Sequence, residues 1–280
     1  MLHTFIFWLQ SHRLINLVLV LVYFTFIVFM HHPLVLLSMW VEHNLSFQIY
    51  QVVVVAVFAL LLVFLFYYVF RQVQKNKQHF PLGVFYLFAT LLLLFIHSRF
   101  MFDSNIEVIH AFEFTFLAFL IFPFTRRFGA AILFTLPFML IDEWYQYIYL
   151  YPDWNDYFDL NDILTDTYGC GLTMVVLLLS GVKGNENIQP FWKRTEFITL
   201  GVLVAGVLVA VNSCYIAAYA NEVCSNTLLV MNERMGPEPF MRPHPTHNLN
   251  FHVMKPAEGL LAITLLHLFY MGLESFRVKK

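Results

Sequence analysis

The chain has 280 residues, of which 60% are apolar, 18% aromatic and only 12% charged, with a formal net charge of −2. Soluble domains carry about 25% charged residues and a little under half apolar ones, so an ordinary water-soluble domain is excluded. Its 16 Lys and Arg fall in short clusters with nothing that points to nucleic-acid binding, and its three cysteines have no metal-binding spacing.

Residues 1–12, Met-Leu-His-Thr-Phe-Ile-Phe-Trp-Leu-Gln-Ser-His, are short and aromatic. Such a segment suits the membrane interface ahead of a first span. The first long apolar run begins near Leu14 and is followed by His31-His32-Pro33 with no small-residue cleavage site, so it reads as a span rather than a removable signal. Stretches of about 18 or more nearly uncharged residues are transmembrane helix candidates. By that measure eight spans are expected, near 14–31, 48–70, 82–99, 107–125, 129–149, 161–182, 196–218 and 257–275. The fold class is therefore all-α, a polytopic transmembrane bundle of about eight spans with both termini cytoplasmic.

The distribution of Lys and Arg supports that count, because cytoplasmic loops are enriched in them. With both termini inside, 12 of the 16 fall on the inner face, and Arg99, Arg234, Arg242 and Lys255 remain outside. The same topology sends 15 of the 18 Asp and Glu outward, leaving only Glu186, Glu196 and Glu274 inside. The positive-inside rule does not demand this, since acidic residues contribute little to orientation. The rings from Trp144 to Phe158 at one outer span end read as an interfacial belt. Two outer loops, about 151–160 and 219–256, are long enough to fold over something.

Residues three or four apart share a helix face. His110 and Glu113 are so related at the start of span four. Asp142 and Glu143 each stand so to Gln146 at the end of span five, and Asp162 to Asp166 at the start of span six. Alternating topology brings these three groups to one depth, in or just above the outer leaflet, with Asp159 nearby. Five or six carboxylates there cannot all stay ionised, so either some hold protons or a cation neutralises them. Oxygen-rich sites suit Mg, Ca or Mn, and a His with carboxylates suits Zn or Fe. His110, Asp142, Glu143 and Asp162 are the candidate ligands of a divalent cation. Without metal, His110 with Asp142 or Glu143 could act as general acid and base. Buried acid chains also mark ion pathways. The bland alternative is interhelical hydrogen bonding, each bond contributing roughly 0.6–2 kcal/mol.

At these residues the chain resembles the VanZ-like family of bacterial membrane proteins, which shows H-x-x-E-[YF], then D-E-x-x-Q, then D-x-x-x-N-x-x-G. Here the corresponding residues are His110-Ala-Phe-Glu113-Phe114, Asp142-Glu143-Trp-Tyr-Gln146 and Asp162-Ile-Leu-Thr-Asp166-Thr-Tyr-Gly169. The resemblance covers about residues 80–182. It divides the chain into residues 1–79 with two spans, an 80–182 four-span core, and residues 183–280 with two spans and the long outer loop. The family often carries an Asp-Lys pair where this chain has Glu107-Val108, an Arg where it has Asn155-Asp156-Tyr157, and Asn in place of Asp166. The site here is correspondingly more acidic.

The resemblance implies a multi-pass protein of the bacterial inner membrane, in a family linked to teicoplanin resistance. Its partners would be membrane lipid and a lipid-linked or amphiphilic envelope molecule. An enzyme, a non-catalytic ligand-binding or accessory protein, and an ion- or proton-coupled transporter all remain open.

Three further features carry weaker expectations. His244, His247 and His252 in the long loop could bind metal, although scattered loop histidines are commoner. His97, His43 and His267 could be haem ligands, but isolated membrane histidines are more often hydrogen-bonded core residues. Cys214 and Cys224 could form a disulfide in an oxidising exterior, while Cys170, between Gly169 and Gly171, suggests close helix packing.

Overall fold

A computed structural model describes residues 2–75, 80–102, 107–150, 157–185, 189–233, 240–243 and 250–275. Its helices are α1 (Leu2–Ser11), α2 (Arg13–Leu45), α3 (Phe47–Lys75), α4 (Phe80–Phe100), α5 (Val108–Thr125), α6 (Phe128–Tyr145), α7 (Leu160–Leu179), α8 (Thr195–Asn212) and α9 (Pro256–Met271). Eight of them, α2 to α9, are long and apolar enough to cross a membrane. The expected all-α bundle is therefore observed.

Two boundaries differ from expectation. The first span does not stop at residue 31: α2 continues through Pro33 to Leu45 as one helix of 33 residues. Helix-breaking proline is tolerated in membrane helices because neighbouring groups satisfy the freed carbonyl, and Pro123 and Pro137 likewise sit inside α5 and α6. At the other correction, α8 stops at Asn212 rather than near 218, because Cys214 takes a positive φ of 58° that no α-helix continues through.

The bundle is built around α7. Buried residues make up 83% of its most apolar stretch, against 6% for α3, so α7 is the axis and α3 the periphery. Its composition explains the position: glycines and small polar residues along α7 let other helices come close. A Cβ placed on Gly169 would collide with the Ala111 carbonyl of α5, and one on Gly171 with the Tyr270 ring of α9. The free Cys170 is buried between them and donates its thiol to the Phe114 carbonyl, 3.4 Å away. Close packing is thus what this Gly-Cys-Gly segment does.

One hydrophobic core runs from Ile6 and Leu9 of α1 to Leu266 and Tyr270 of α9. α1 is held by Gln10, which accepts from Arg126 at 2.6 Å, and by a stacked Phe5–Phe119 pair. At this basic end Arg127 also binds the fully buried Glu196 at 2.5 Å.

The opposite, acidic end is partly covered by the segment after α8. Its strands β1 (Ile216–Ala217) and β2 (Leu229–Val230) pair in parallel, and β3 (Arg242–Pro243) and β4 (Asn250–Phe251) pair antiparallel. A Cys214–Cys224 disulfide, one of the possibilities the sequence left open, closes the loop that carries β1. The segment docks by backbone: Phe158 N–H donates to Met231 (2.8 Å), His252 N–H to Phe100 (2.7 Å), and the Tyr147 hydroxyl to Val230 (2.9 Å). The described parts of the long loop therefore lie across the ends of α4, α6 and α7.

Candidate functional site at the acidic end

α5 and α7 both start at the acidic end and run parallel, with their closest approach at Ala111 and Gly169. One residue before Ala111, and three and seven before Gly169, stand His110, Asp166 and Asp162. The tight crossing thus sets the imidazole among carboxylates. His110 Nε2 lies 3.4 Å from Asp162 Oδ2, while Nδ1 lies 3.7 Å from both Glu113 Oε2 and Asp166 Oδ1. Those last two separations are ion-pair range and beyond hydrogen-bond reach.

α6 brings the second expected group to the same place. Gln146 donates to Asp142 Oδ2 at 3.0 Å, the i,i+4 relation expected from the sequence. From Gln146 the chain runs on as a π-helical turn to Leu150, a widening that is frequent at functional sites. Glu143 at the end of α6 accepts from Asp159 at the start of α7, and Gln146 lines one cavity with His110, Glu113 and Asp162, so the three span ends meet. They converge instead of dispersing into separate helix contacts.

Burial makes the convergence consequential. His110, Asp142, Glu143, Gln146 and Asp166 are each at most 6% exposed. Among the described residues, His110 Nδ1, Glu113 Oε2, Asp142 Oδ1 and Asp166 Oδ1 have no hydrogen-bond partner. Buried polar atoms are nearly always satisfied by protein or ordered water. The cluster therefore has unused capacity to hold a proton, a water or a ligand group, and it carries more acid than base.

A cleft of about 520 Å³ opens onto the cluster. His110, Glu113, Asp162 and Gln146 form its polar floor, and Leu34, Val35, Leu37 and Val41 of α2 form an apolar wall. Phe251 of the covering loop also lines it. Asp142, Asp166 and Glu143 are not among its lining residues. The candidates thus sort by depth, with Asp142 behind Gln146 and Asp166 behind His110.

Glu143 makes a structural contact of its own. Its Oε1 accepts the Asp159 N–H at 2.7 Å, while Asp159 caps α7 by accepting from Asn161 N–H at 2.8 Å. Glu143 thereby ties the end of α6 to the start of α7 and, on this geometry, positions the cluster. For the proposed ligand set His110, Asp142, Glu143 and Asp162, one oxygen each of Asp142 and Glu143 is engaged, Oδ2 by Gln146 and Oε1 by Asp159, while Asp142 Oδ1 has no hydrogen-bond partner among the described residues. Among the described residues, no three His, Cys, Asp or Glu side chains are arranged to hold one metal ion.

One site residue was missed. His31 lines the cleft, and its ring centre is 5.6 Å from that of His110. The available signal was depth: a span running from inside to outside ends level with the start of span four, so His31 and His110 belong to one layer.

The secondary histidines have ordinary surroundings. His252 donates Nδ1–H to the Phe240 carbonyl and pairs through Nε2 with Glu258 at 3.0 Å, while His244 and His247 lie outside the described residues. His97 packs on Tyr168 and Phe102, His267 bonds the Ile263 carbonyl of its own helix, and His43 sits in the last turn of α2. Comparison of the chain with protein-family models, curated proteins and solved structures finds no match.

Proposed function

We propose that the chain is a VanZ-like multi-pass protein of the bacterial inner membrane, N-in and C-in. Its acidic end would face outward and act on the polar head of a lipid-linked or amphiphilic envelope molecule. One observation carries this reading: a buried imidazole flanked by three carboxylates forms the floor of a cleft whose wall is apolar. Such a cleft accepts a molecule that is polar at one end and greasy along its length. His110 is placed to take a proton from a head-group hydroxyl or a water and return it, with Asp162, Glu113 and Asp166 stabilising the imidazolium between the two steps. Asp142 and Gln146 hold the adjoining wall, and Glu143 fixes the α6–α7 junction. A divalent cation is the alternative way to offset the acid, with Asp142 Oδ1 among the oxygens open to it. A link to teicoplanin resistance rests on the family resemblance alone.

The test uses purified full-length protein in nanodiscs, incubated with a bacterial lipid extract and followed by mass spectrometry. Turnover of an amphiphile that stops in His110→Ala and Asp162→Asn, with melting unchanged, is the expected result. Binding without turnover would make the protein an accessory or ligand-binding one. The absence of both binding and turnover would overturn the reading.

Below the capping Asp159, Asp162 and Asp166 follow on one face of α7 from the cleft into the buried interior, which favours ion- or proton-coupled transport as a second reading. Proteoliposomes that dissipate no pH gradient, with or without an added cation gradient, would remove it.

A further inference from the structure

We propose that a second pocket, at the basic end of the bundle, binds the phosphate of an anionic membrane lipid. The pocket is separate from the cleft and independent of the function read there. α5 and α7 both start at the acidic end, so the turn after α5 and the loop after α7 meet at the opposite one. α1 is bonded to both, through Gln10 to Arg126 and through His3 to the Ser180 carbonyl. Between them opens a pocket of about 510 Å³. His3, Arg126 and Lys183 line it, and among its described lining residues there is no Asp or Glu.

Arg126 and Lys183 have no carboxylate partner among the described residues. Arg126 donates Nη1–H to Gln10 at 2.6 Å and Nη2–H to the Lys183 carbonyl at 3.0 Å, both neutral acceptors. Its Nε is buried and has no hydrogen-bond partner among the described residues. A guanidinium carries five donors in a planar fork that matches phosphate, and a lysine adds a mobile point charge. The two described carboxylates of this end are held elsewhere. Glu196 pairs with Arg127, and Glu274 accepts from the N–H groups of Phe128 and Gly129.

Helix C-termini carry bare carbonyls that repel an anion. Here they are met from within. Phe122 accepts the Arg126 N–H at 2.8 Å, and Leu178 and Leu177 accept those of Gly181 and Val182 at 2.9 and 3.0 Å. Ser180 accepts from His3 Nε2 at 3.3 Å, and the Arg126 carbonyl from Asn185 N–H at 2.6 Å. The positive charge of Arg126 and Lys183 is therefore only partly answered by the protein, and a phosphate would complete it.

α1 identifies where that phosphate comes from. Ile6 and Leu9 are buried in the core, while Phe5, Phe7 and Trp8 are exposed. A short aromatic helix of this kind lies in the membrane interface, with its rings at head-group level. Ile6 and Phe7 also line the pocket, so the cations stand beside rings that can cover an acyl chain. Basic pockets among membrane helices on the cytoplasmic side take anionic head groups, and on the proposed topology this end is cytoplasmic.

Delipidated full-length protein in detergent would be titrated with phosphatidylglycerol and phosphatidylcholine, and bound lipid read by native mass spectrometry. Phosphatidylglycerol should bind about tenfold or more tightly, since each basic side chain near a membrane surface contributes about fivefold to anionic-lipid affinity. Lys183→Gln should weaken phosphatidylglycerol by about fivefold and leave phosphatidylcholine unchanged. Lys193→Gln, outside the pocket, should leave both unchanged. Arg126→Gln should also weaken phosphatidylglycerol. Lys183 is exposed, so its variant decides the matter even if the loss of Arg126 loosens α1. Equal affinity for the two lipids, or equal losses in the Lys183 and Lys193 variants, would overturn the inference. Phosphatidylglycerol that stays bound in millimolar inorganic phosphate supports the lipid as the source, and displacement would assign the pocket to free phosphate and overturn it. None of these outcomes bears on the reading of the cleft.

Discussion

The carbonyl oxygen of Ala111 occupies the space in which a side chain at Gly169 would begin. This contact sets the spacing of α5 and α7, and through it the distance from His110 to Asp162 and Asp166. Packing and chemistry are therefore controlled by the same pair of backbones.

Gly169→Ala should accordingly push α5 from α7. Overpacking of this kind costs about 1–3 kcal/mol, so the variant should melt lower in detergent and lose whatever activity or binding His110 supports. Gly201 and Gly206 of α8 have open space beside them. Alanine at either should leave melting unchanged or slightly raised, and equal destabilisation at all three sites would contradict the packing assignment.

Glu143 should separate from its neighbours on substitution. Glu143→Gln keeps an oxygen for the Asp159 N–H, whereas Glu143→Ala leaves that donor unmet at a cost of about 1–3 kcal/mol. Hydrogen exchange over residues 157–163 should rise in the alanine variant and change little in the glutamine one. Loss of function in the glutamine variant without faster exchange would instead make Glu143 a participant in the chemistry.

At the basic end, Arg127 and the fully buried Glu196 form one close pair. Removing a single partner of a buried pair strands the other charge, at a cost on the order of 3 kcal/mol. Arg127→Met and Glu196→Gln should each lower the melting temperature markedly, with the double variant less damaging than the sum. A double-mutant cycle with no coupling would show that the pair contributes nothing.

The Cys214–Cys224 disulfide gives a direct test of sidedness. In intact cells a membrane-impermeant maleimide should label both cysteines only after mild reduction, because Cys170 is buried. Labelling that needs membrane lysis would reverse the proposed orientation.

The spans were legible because eight runs of apolar residues have no other stable use, and the convergence followed from simple alternation of span ends. The separate tasks of Asp142 and Glu143 were not legible from adjacency. Consecutive helical residues point roughly 100° apart, so Asp142 turns toward Gln146 while Glu143 turns toward the start of α7. Either direction fits the sequence until α7 is placed. His31 was hidden for another reason: His-His-Pro reads as a helix end, and only the continuation of α2 past Pro33 makes this segment a wall of the cleft. The docking of the described parts of the loop rests on bonds to its main chain, from Phe158 N–H and the Tyr147 hydroxyl and to the Phe100 carbonyl, which carry no side-chain signature in the loop itself.

At 33 residues, α2 is about 50 Å long, whereas the hydrocarbon slab is about 30 Å thick. On the proposed topology, the portion that walls the cleft rises from that slab into the head-group layer. A ligand could then arrive by sideways diffusion without ever dissolving in water. Occupancy would follow the mole fraction of ligand in the bilayer, so that adding inert lipid would empty the cleft while adding buffer would not.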